Sequence, residues 1–541
     1  MTQCFSRILR IIFGPWIHLR DILIKVAIIC VPNFIQIFTA VLGWNDVSFH
    51  GSDQILTPNI DLLAYSGVAL GRYYSHASCT PSRSAFLTGK FSHKIGMQGF
   101  PLPMTEDRGI PINETLLPEY FKAAGYDTYL VGKWHVGGSR KEYLPTSRGF
   151  DSHFGHRGGF IDYYEYNTEE ITNPYFSGFS LYKDLTPAWD VKGYITDVYS
   201  NHNHDQSSPF FLMVGHNAPH AGNMGAALQA PPEEVRKQRH IELGSRRMYA
   251  AMVKKLDDSV GDIVTALAQK KILDKTIIVF ASDNGGITTG LYNNYASNYP
   301  LRGIKMSPFE GGVRVVGLIW SAHLNNTNHY WDGYMHVTDW MPTLLSAAGA
   351  DVPLDIDGID QWDNINSNAP SDRMIMYEID DYTGYYSITL GQYKLVTGTV
   401  PQSYSTYQGK ELNGIIGEPP SYTDAVLKSK VFNVLKTHCQ PFNMANLGLR
   451  KYGTIHCKSN LSSICYPTGD TACLFDIIND PCETTDLSES NPGFLMFMKS
   501  MLNEEIARRV PRKVPFYNDP LAAPRYFNYT WAPWLPDSMS S

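Results

Sequence analysis

The sequence predicts an α/β fold: a large, mostly parallel sheet sandwiched by helices, followed by a smaller C-terminal antiparallel-sheet domain. Three observations predict it. Apolar runs of strand length recur at 33–42, 126–131, 209–214, 276–281, 313–319 and 374–377. Between them, 244–269 and 337–348 carry apolar residues at helical spacing. Beyond about Asp380 the grammar changes to alternation over 385–397 around a turn at Gly391, then to a cysteine-rich stretch punctuated by Gly and Pro. The organisation expected is a leader or signal-anchor-like segment at 1–31, an α/β domain at 32–380 and a smaller domain at 381–541.

Taken in order, the first element is the hardest to read. Arg7, Arg10, Arg20 and Lys25 are scattered among apolar residues, and the apolar stretch 22–42 is broken by Lys25, Pro32, Asn33 and Gln36. Such a stretch is less uniform than a membrane span and has no compact signal core with a small-residue exit. A poor signal or membrane anchor and an atypical leader before a buried first strand both stand. Residues 57–64 then read as a turn opening a helix, and 79–89 as a cysteine, a fixed turn at Pro81 and a short buried helix ending at Gly89. A helix closes at Gly125, and the strand 126–131 follows it. A last helix is expected at 494–508.

Composition narrows the function. With 43% hydrophobic and 18% charged residues the chain is a folded protein. A formal charge of −7 gives no basic field for nucleic acid, and no nucleic-acid motif is present. The 33 Tyr and 10 Trp suit a carbohydrate or aryl ligand, although aromatics also fill cores. Cys439, Cys457, Cys465, Cys473 and Cys482 cluster in one C-terminal region, which suggests disulfides in an oxidising compartment, with the connectivity left open. Acceptor sequons at Asn113, Asn325, Asn460 and Asn528 permit the same secretory reading.

Polar clusters follow several strands directly, where the sites of open α/β sheets gather. Lys133-Trp134-His135 follows 126–131, His216 and His220 follow 209–214, and Asp283-Asn284-Gly285-Gly286 follows 276–281. Lys305 lies before Glu310-Gly311-Gly312-Val313-Arg314. Cys79 stands at a helix start, where unpaired N–H groups favour negative charge, and Arg83 lies one turn on. Together these residues offer cations for an anion, histidines for proton transfer and oxygen ligands for a hard cation. The plain structural reading of each is ordinary: a buried capping cysteine, a strand-exit turn at Asp283, a structural His216. His50, His76, His93, His153 and His156 carry no assignment.

Cys79-Thr80-Pro81-Ser82-Arg83, continued by Leu87-Thr88-Gly89-Lys90, resembles the Cys/Ser-x-Pro-x-Arg signature of the sulfatase family. Gly132-Lys133-Trp134-His135, Asn217-Ala218-Pro219-His220, Asp283-Asn284 and Lys305 match further motifs of that family, and the likeness extends to Asp480-Pro481-Cys482-Glu483. The pattern is similar to the arylsulfatase B-like branch, which removes 4-sulfate from N-acetylgalactosamine. The resemblance implies an alkaline-phosphatase-like fold and a sulfuric ester hydrolase acting on a sulfated sugar or an aryl sulfate. It also implies conversion of Cys79 to formylglycine by a formylglycine-generating enzyme. The implied roles are catalysis for Cys79, Arg83, Lys133, His135, His220 and Lys305, and binding of one divalent cation, Ca2+, by Cys79, Asp283 and Asn284. A lysosomal or extracellular setting, membrane-anchored in one version, comes with it.

One part of the pattern is broken. The family places two adjacent aspartates at the end of its first strand; within the frame from Pro32-Asn33 to Gly43-Trp44-Asn45-Asp46, those positions are Ala40 and Val41. Neither can coordinate a hard cation. Asp46, five residues past Val41, is the nearest spare carboxylate. Two alternatives to an active hydrolase follow: a sulfated-glycan binder that does not cleave, and a misjoined first coding segment before an intact enzyme. A metal-dependent phosphatase or phosphodiesterase is a third, weaker reading.

Overall fold

A computed structural model describes residues 31–202, 208–290, 292–380, 383–437, 442–457, 464–469, 471–512 and 518–538. Five of the six predicted apolar runs, all but 374–377, form the middle of one large sheet. Its chain-ordered strands begin with β1 (Asn33–Thr39), β2 (Val68–Tyr74), β3 (Asp127–Gly132) and β4 (Ser152–His156). A hairpin of β5 (Asn167–Glu170) and β6 (Asn173–Phe179) stands apart, before β7 (Leu181–Lys183) and β8 (Thr186–Pro187). Then come β9 (Phe210–Gly215), β10 (Thr276–Ser282), β11 (Gly317–Ser321) and β12 (His329–His336). The ten-stranded sheet runs β12-β2-β11-β10-β1-β9-β3-β4-β7-β8.

β1 is its centre, parallel to β10 on one side and β9 on the other, and β3 is parallel to β9 and β4. The pleat sends alternate side chains to opposite faces. Ile35 and Ile37 join the core under the helices Pro58–Ser66 and Gly244–Gln269, whereas Phe34 and Phe38 pack with Phe86, Trp340 and Leu344 on the other face. Every residue of β1 and β10 is buried. A strand covered on both faces has no polar side, which is why the interiors of these runs, Gln36 apart, are apolar rather than alternating.

The antiparallel C-terminal sheet is also present: β13 (Ile375–Asp380), β14 (Tyr385–Leu390), β15 (Tyr393–Gly398) and β16 (Cys473–Asp476), in that order. The helix Pro492–Ala507 covers it, setting Met498 and Leu502 against Ile388, Leu395 and Leu474. Lys394 of β15 ties the sheets together, pairing in the core with Glu310 at 2.9 Å and Glu483 at 3.0 Å.

Several elements depart from the sequence reading. The run at 374–377 belongs to β13 and pairs with β14, not with the large sheet. The run at 313–319 opens with the helical turn Glu310–Val313, and its strand, β11, is antiparallel to β10. β1 ends at Thr39, so Ala40 and Val41 lie in the exit loop. Cys457 pairs with Cys482 and Cys465 with Cys473, consistent with an oxidising, secretory setting. Cys439 and nearly all of the expected leader lie outside the described residues. Among the described residues no helix is long and apolar enough to cross a membrane.

Candidate active site

The site forms beyond the carboxyl ends of β1, β3, β9 and β10, where the Cys79–Thr88 helix points its first turn at them. All ten residues of that helix are buried, and its αL cap at Gly89 stops it with an N–H to the Ala85 carbonyl. Cys79 is the free cysteine of the described residues and is 1% exposed. Lys305 Nζ lies 3.8 Å from its Sγ and 3.3 Å from His220 Nε2.

Arg83 is fully buried. Its Nε donates to Asp283 Oδ2 at 3.1 Å and its Nη1 to the Lys133 carbonyl at 2.9 Å, so one guanidinium bridges the exits of β10 and β3. That approach needs glycine at the end of β9: a Cβ on Gly215 would stand 2.7 Å from the Lys133 carbonyl oxygen. Lys133 Nζ is 3.6 Å from Asp283 Oδ2. His135, at φ +64°, sends Nε2 to the Leu102 carbonyl at 2.9 Å. Four buried polar atoms in this group have no hydrogen-bond partner: Arg83 Nη2, Lys133 Nζ, His135 Nδ1 and Asn284 Oδ1. Arg83 Nη2 and Lys133 Nζ are cationic donors that an oxyanion can satisfy, whereas His135 Nδ1 is the lone-pair nitrogen of a ring that donates from Nε2, and Asn284 Oδ1 is an acceptor.

Charge follows geometry. Burial pulls the Lys133 ammonium down to about 8, opposed by Cys79 and Asp283. Burial pulls His135 well below the ordinary histidine value, and neighbouring Lys133 adds to the effect. His220 is lowered in the same way by burial and then by Lys305. Both rings are therefore neutral bases at physiological pH. Burial would raise the Asp283 carboxyl, but Lys133, Arg83 and Lys305 outweigh it and hold it below the usual range.

The structure brings Cys79, Arg83, Lys133, His135, His220, Lys305, Asp283 and Asn284 to one place. His216 stays apart, its Nε2 on Ser259 Oγ at 2.9 Å. Asp46 does not replace the missing carboxylates, because it is buried against Arg246 at 2.7 Å and accepts from Tyr249 Oη at 2.6 Å. Sequence reasoning missed Phe160, whose ring stacks on His220 with centroids 5.6 Å apart and 6° between planes. It also missed Asn294, whose amide donates to the carbonyls of Val41 and Pro219 and so ties two exits together. Neither carries a sequence signal: each acts through a distant contact.

The expected calcium site is not built. Ala40 and Val41 pack with Ile287 and Ile304 in a small apolar cluster, leaned on by Tyr404. Both Asp283 oxygens are engaged, Oδ1 by the Val41 N–H at 3.3 Å and Oδ2 by Arg83. Among the described residues no group of three or more His, Cys, Asp or Glu could hold a metal ion. Residues 40 and 41 have no lone pairs to offer, and that corrects the calcium expectation.

Buried cations beside a free cysteine, at the strand ends of a helix-covered sheet, form an arrangement that can receive an oxyanion. The sulfatase family model matches residues 32–350, and the chain belongs to the sulfatase family. It is 35% identical to arylsulfatase J of Mus musculus over 93% of its own length and 80% of that protein's. It is 31% identical to N-acetylgalactosamine-6-sulfatase of Mus musculus, covering 70% of this chain and 74% of that one. The crystal structure of Ps i-CgsB in complex with k-i-k-neocarrahexaose is 26% identical with a TM-score of 0.68, covering 92% of this chain and 97% of that chain. These likenesses overturn the expected arylsulfatase B-like, 4-sulfatase branch: the relatives it matches include arylsulfatase J and several N-acetylgalactosamine-6-sulfatases.

Proposed function

We propose that this sulfatase cleaves the sulfate ester of a sulfated carbohydrate, with Cys79 converted to formylglycine as the nucleophile. The observation that carries the reading is the pair of unpartnered buried donors, Arg83 Nη2 and Lys133 Nζ, with the acceptor His135 Nδ1 beside them, around a free cysteine at a helix start. A tetrahedral sulfate oxyanion satisfies such donors, and donors fixed where charge develops supply most of the rate gain in this kind of catalysis. The carbohydrate class is supported by the relatives' names and by the aromatic wall of Phe160 and Tyr292 beside His220.

In the proposed reaction one hydroxyl of the hydrated aldehyde attacks sulfur and the S–O bond to the sugar breaks. Arg83, Lys133 and Lys305 hold the non-bridging oxygens. His220 is neutral, so the departing sugar oxygen takes its proton from the ammonium of Lys305, and the Lys305 amine, 3.8 Å from the Cys79 Sγ position, takes the proton that the attacking hydroxyl loses. The other hydroxyl then gives its proton to neutral His135, the carbon–oxygen bond to sulfate breaks, the aldehyde returns and sulfate leaves. No step here runs through a metal. Maturation requires a formylglycine-generating enzyme, and the setting proposed is lysosomal or extracellular. Residues 32–380 are taken as the catalytic unit and 381–541 as its smaller companion.

The test is hydrolysis of a fluorogenic aryl sulfate by the chain made in secretory cells. Cys79→Ala should lower the rate by roughly 1,000-fold or more. Undiminished hydrolysis in that variant refutes the nucleophile. Folded, secreted protein with no hydrolysis favours the second reading, a non-cleaving glycan binder, which the apolar exit of β1 supports.

A further inference from the structure

We infer that this site holds its sulfate with fixed protein cations alone, in place of a divalent cation. The inference rests on the sulfate-binding part of the reading above and not on the hydrolysis. Charge makes the substitution self-consistent. Two aspartates and one dication sum to zero, so exchanging all three for Ala40, Val41 and nothing leaves the charge of the pocket unchanged. What remains is Arg83, Lys133 and Lys305 against Asp283, a net charge of +2 for the single negative charge of a sulfate ester and the two of free sulfate.

The geometry agrees with the charge. In a metal site the Asp283 carboxylate would turn an oxygen to the ion; here Oδ1 takes the Val41 N–H and Oδ2 takes Arg83 Nε, with Lys133 Nζ 3.6 Å away. The corner where two carboxylates would stand is filled by Ala40, Val41, Ile287 and Ile304, all buried, an environment that disfavours a bare dication. Arg83 therefore does two jobs: it neutralises Asp283 through Nε and leaves Nη2 for an oxyanion. Val41 keeps φ at +63°, a left-handed conformation that Asp and Asn tolerate and β-branched residues rarely adopt. The loop thus holds a conformation suited to Asp or Asn but carries an apolar, β-branched side chain there.

The experiment is calorimetric titration of sodium sulfate into the full-length Cys79→Ala protein, in EDTA and in millimolar calcium or magnesium. The affinities should agree within about twofold, and calcium or magnesium alone should give no binding heat. Asp283→Asn, checked for an intact melting transition, should bind sulfate about tenfold more tightly, because it removes the one negative charge; a metal-holding Asp283 predicts the opposite sign. Ala40→Asp with Val41→Asp should weaken sulfate binding in EDTA at least tenfold, and calcium should restore it. Sulfate binding that appears only with a divalent cation, or no sulfate binding under any condition, overturns the inference. The hydrolysis reading fails separately. Absent turnover with sulfate still bound in EDTA sinks hydrolysis and leaves this inference standing, whereas turnover only with calcium does the reverse.

Discussion

The exits of β1 and β10 are neighbours with nearly the same backbone surroundings and opposite chemistry. Thr39 and Ser282 pair in register, the Asp283 N–H donates to the Thr39 carbonyl at 3.0 Å, and the Leu42 N–H donates to Ser282 Oγ at 3.2 Å. One strand then delivers Asp283 and Asn284 to a cationic pocket, the other Ala40 and Val41 to an apolar cluster. The loop after β1 is held through its main chain, with the N–H groups of Ala40, Val41 and Leu42 on the Ala218 carbonyl, Asp283 Oδ1 and Ser282 Oγ. The side chains of Ala40 and Val41 are thereby left to the apolar cluster.

The largest expected effect breaks the polar exit. Asp283→Ala leaves Arg83 and Lys133 buried without a counter-charge and should cost roughly 3–5 kcal/mol in urea unfolding. A loss below about 1 kcal/mol would mean that the carboxylate is not the centre of the cluster. Next, Asp46→Ala should cost about 3 kcal/mol by stranding Arg246, while sulfate affinity in EDTA and in calcium stays unchanged. A calcium response that disappears with Asp46 would show instead that the β1 loop had found a substitute ligand.

The third test uses pH on the adjoining exit of β9. Burial holds His216 down to about 4, below an unfolded value of 6.5. A lowered histidine adds stability above the unfolded value and loses it as pH falls from 6.5 towards 4, because only the unfolded chain takes the proton. His216→Gln should therefore lose less stability than wild type between about pH 7 and pH 5, by roughly 1–2 kcal/mol. Parallel pH curves would show that the ring takes its proton as readily in the fold as in the unfolded chain. The smallest effect falls on the apolar exit: Val41→Ala removes two methyl groups from the cluster and should cost about 1 kcal/mol, with sulfate affinity unchanged. Equal costs for Val41→Ala and Asp283→Ala would dissolve the contrast between the two exits.

Much of the site was legible because it is written in contiguous motifs. Cys79 to Arg83 share one helical turn, and Lys133 and His135 share one strand exit, so local spacing already places them together. The long helix Gly244–Gln269 and the covered strands were legible for the same reason, through period and length. Short edge strands such as β7 and β8, of three and two residues, were not, because they exist only through pairing with β4 and each other. The strand at β13 was legible as a strand but not as a member of the second sheet, since a short apolar run looks alike in either.

The sequence by itself determined which chemical groups the protein has at its strand ends, including the loss of two carboxylates at Ala40 and Val41. Only the tertiary structure decided what those groups do to one another. Arg83 and Asp283 are 200 residues apart, Val41 and Asp283 are 242, and their contact removes both carboxylate oxygens from service to a cation. Phe160 reaches the His220 ring only through folding. Spacing along the chain fixes local conformation, whereas charge compensation and hydrogen bonding depend on distance in space, which the packing of the whole sheet sets.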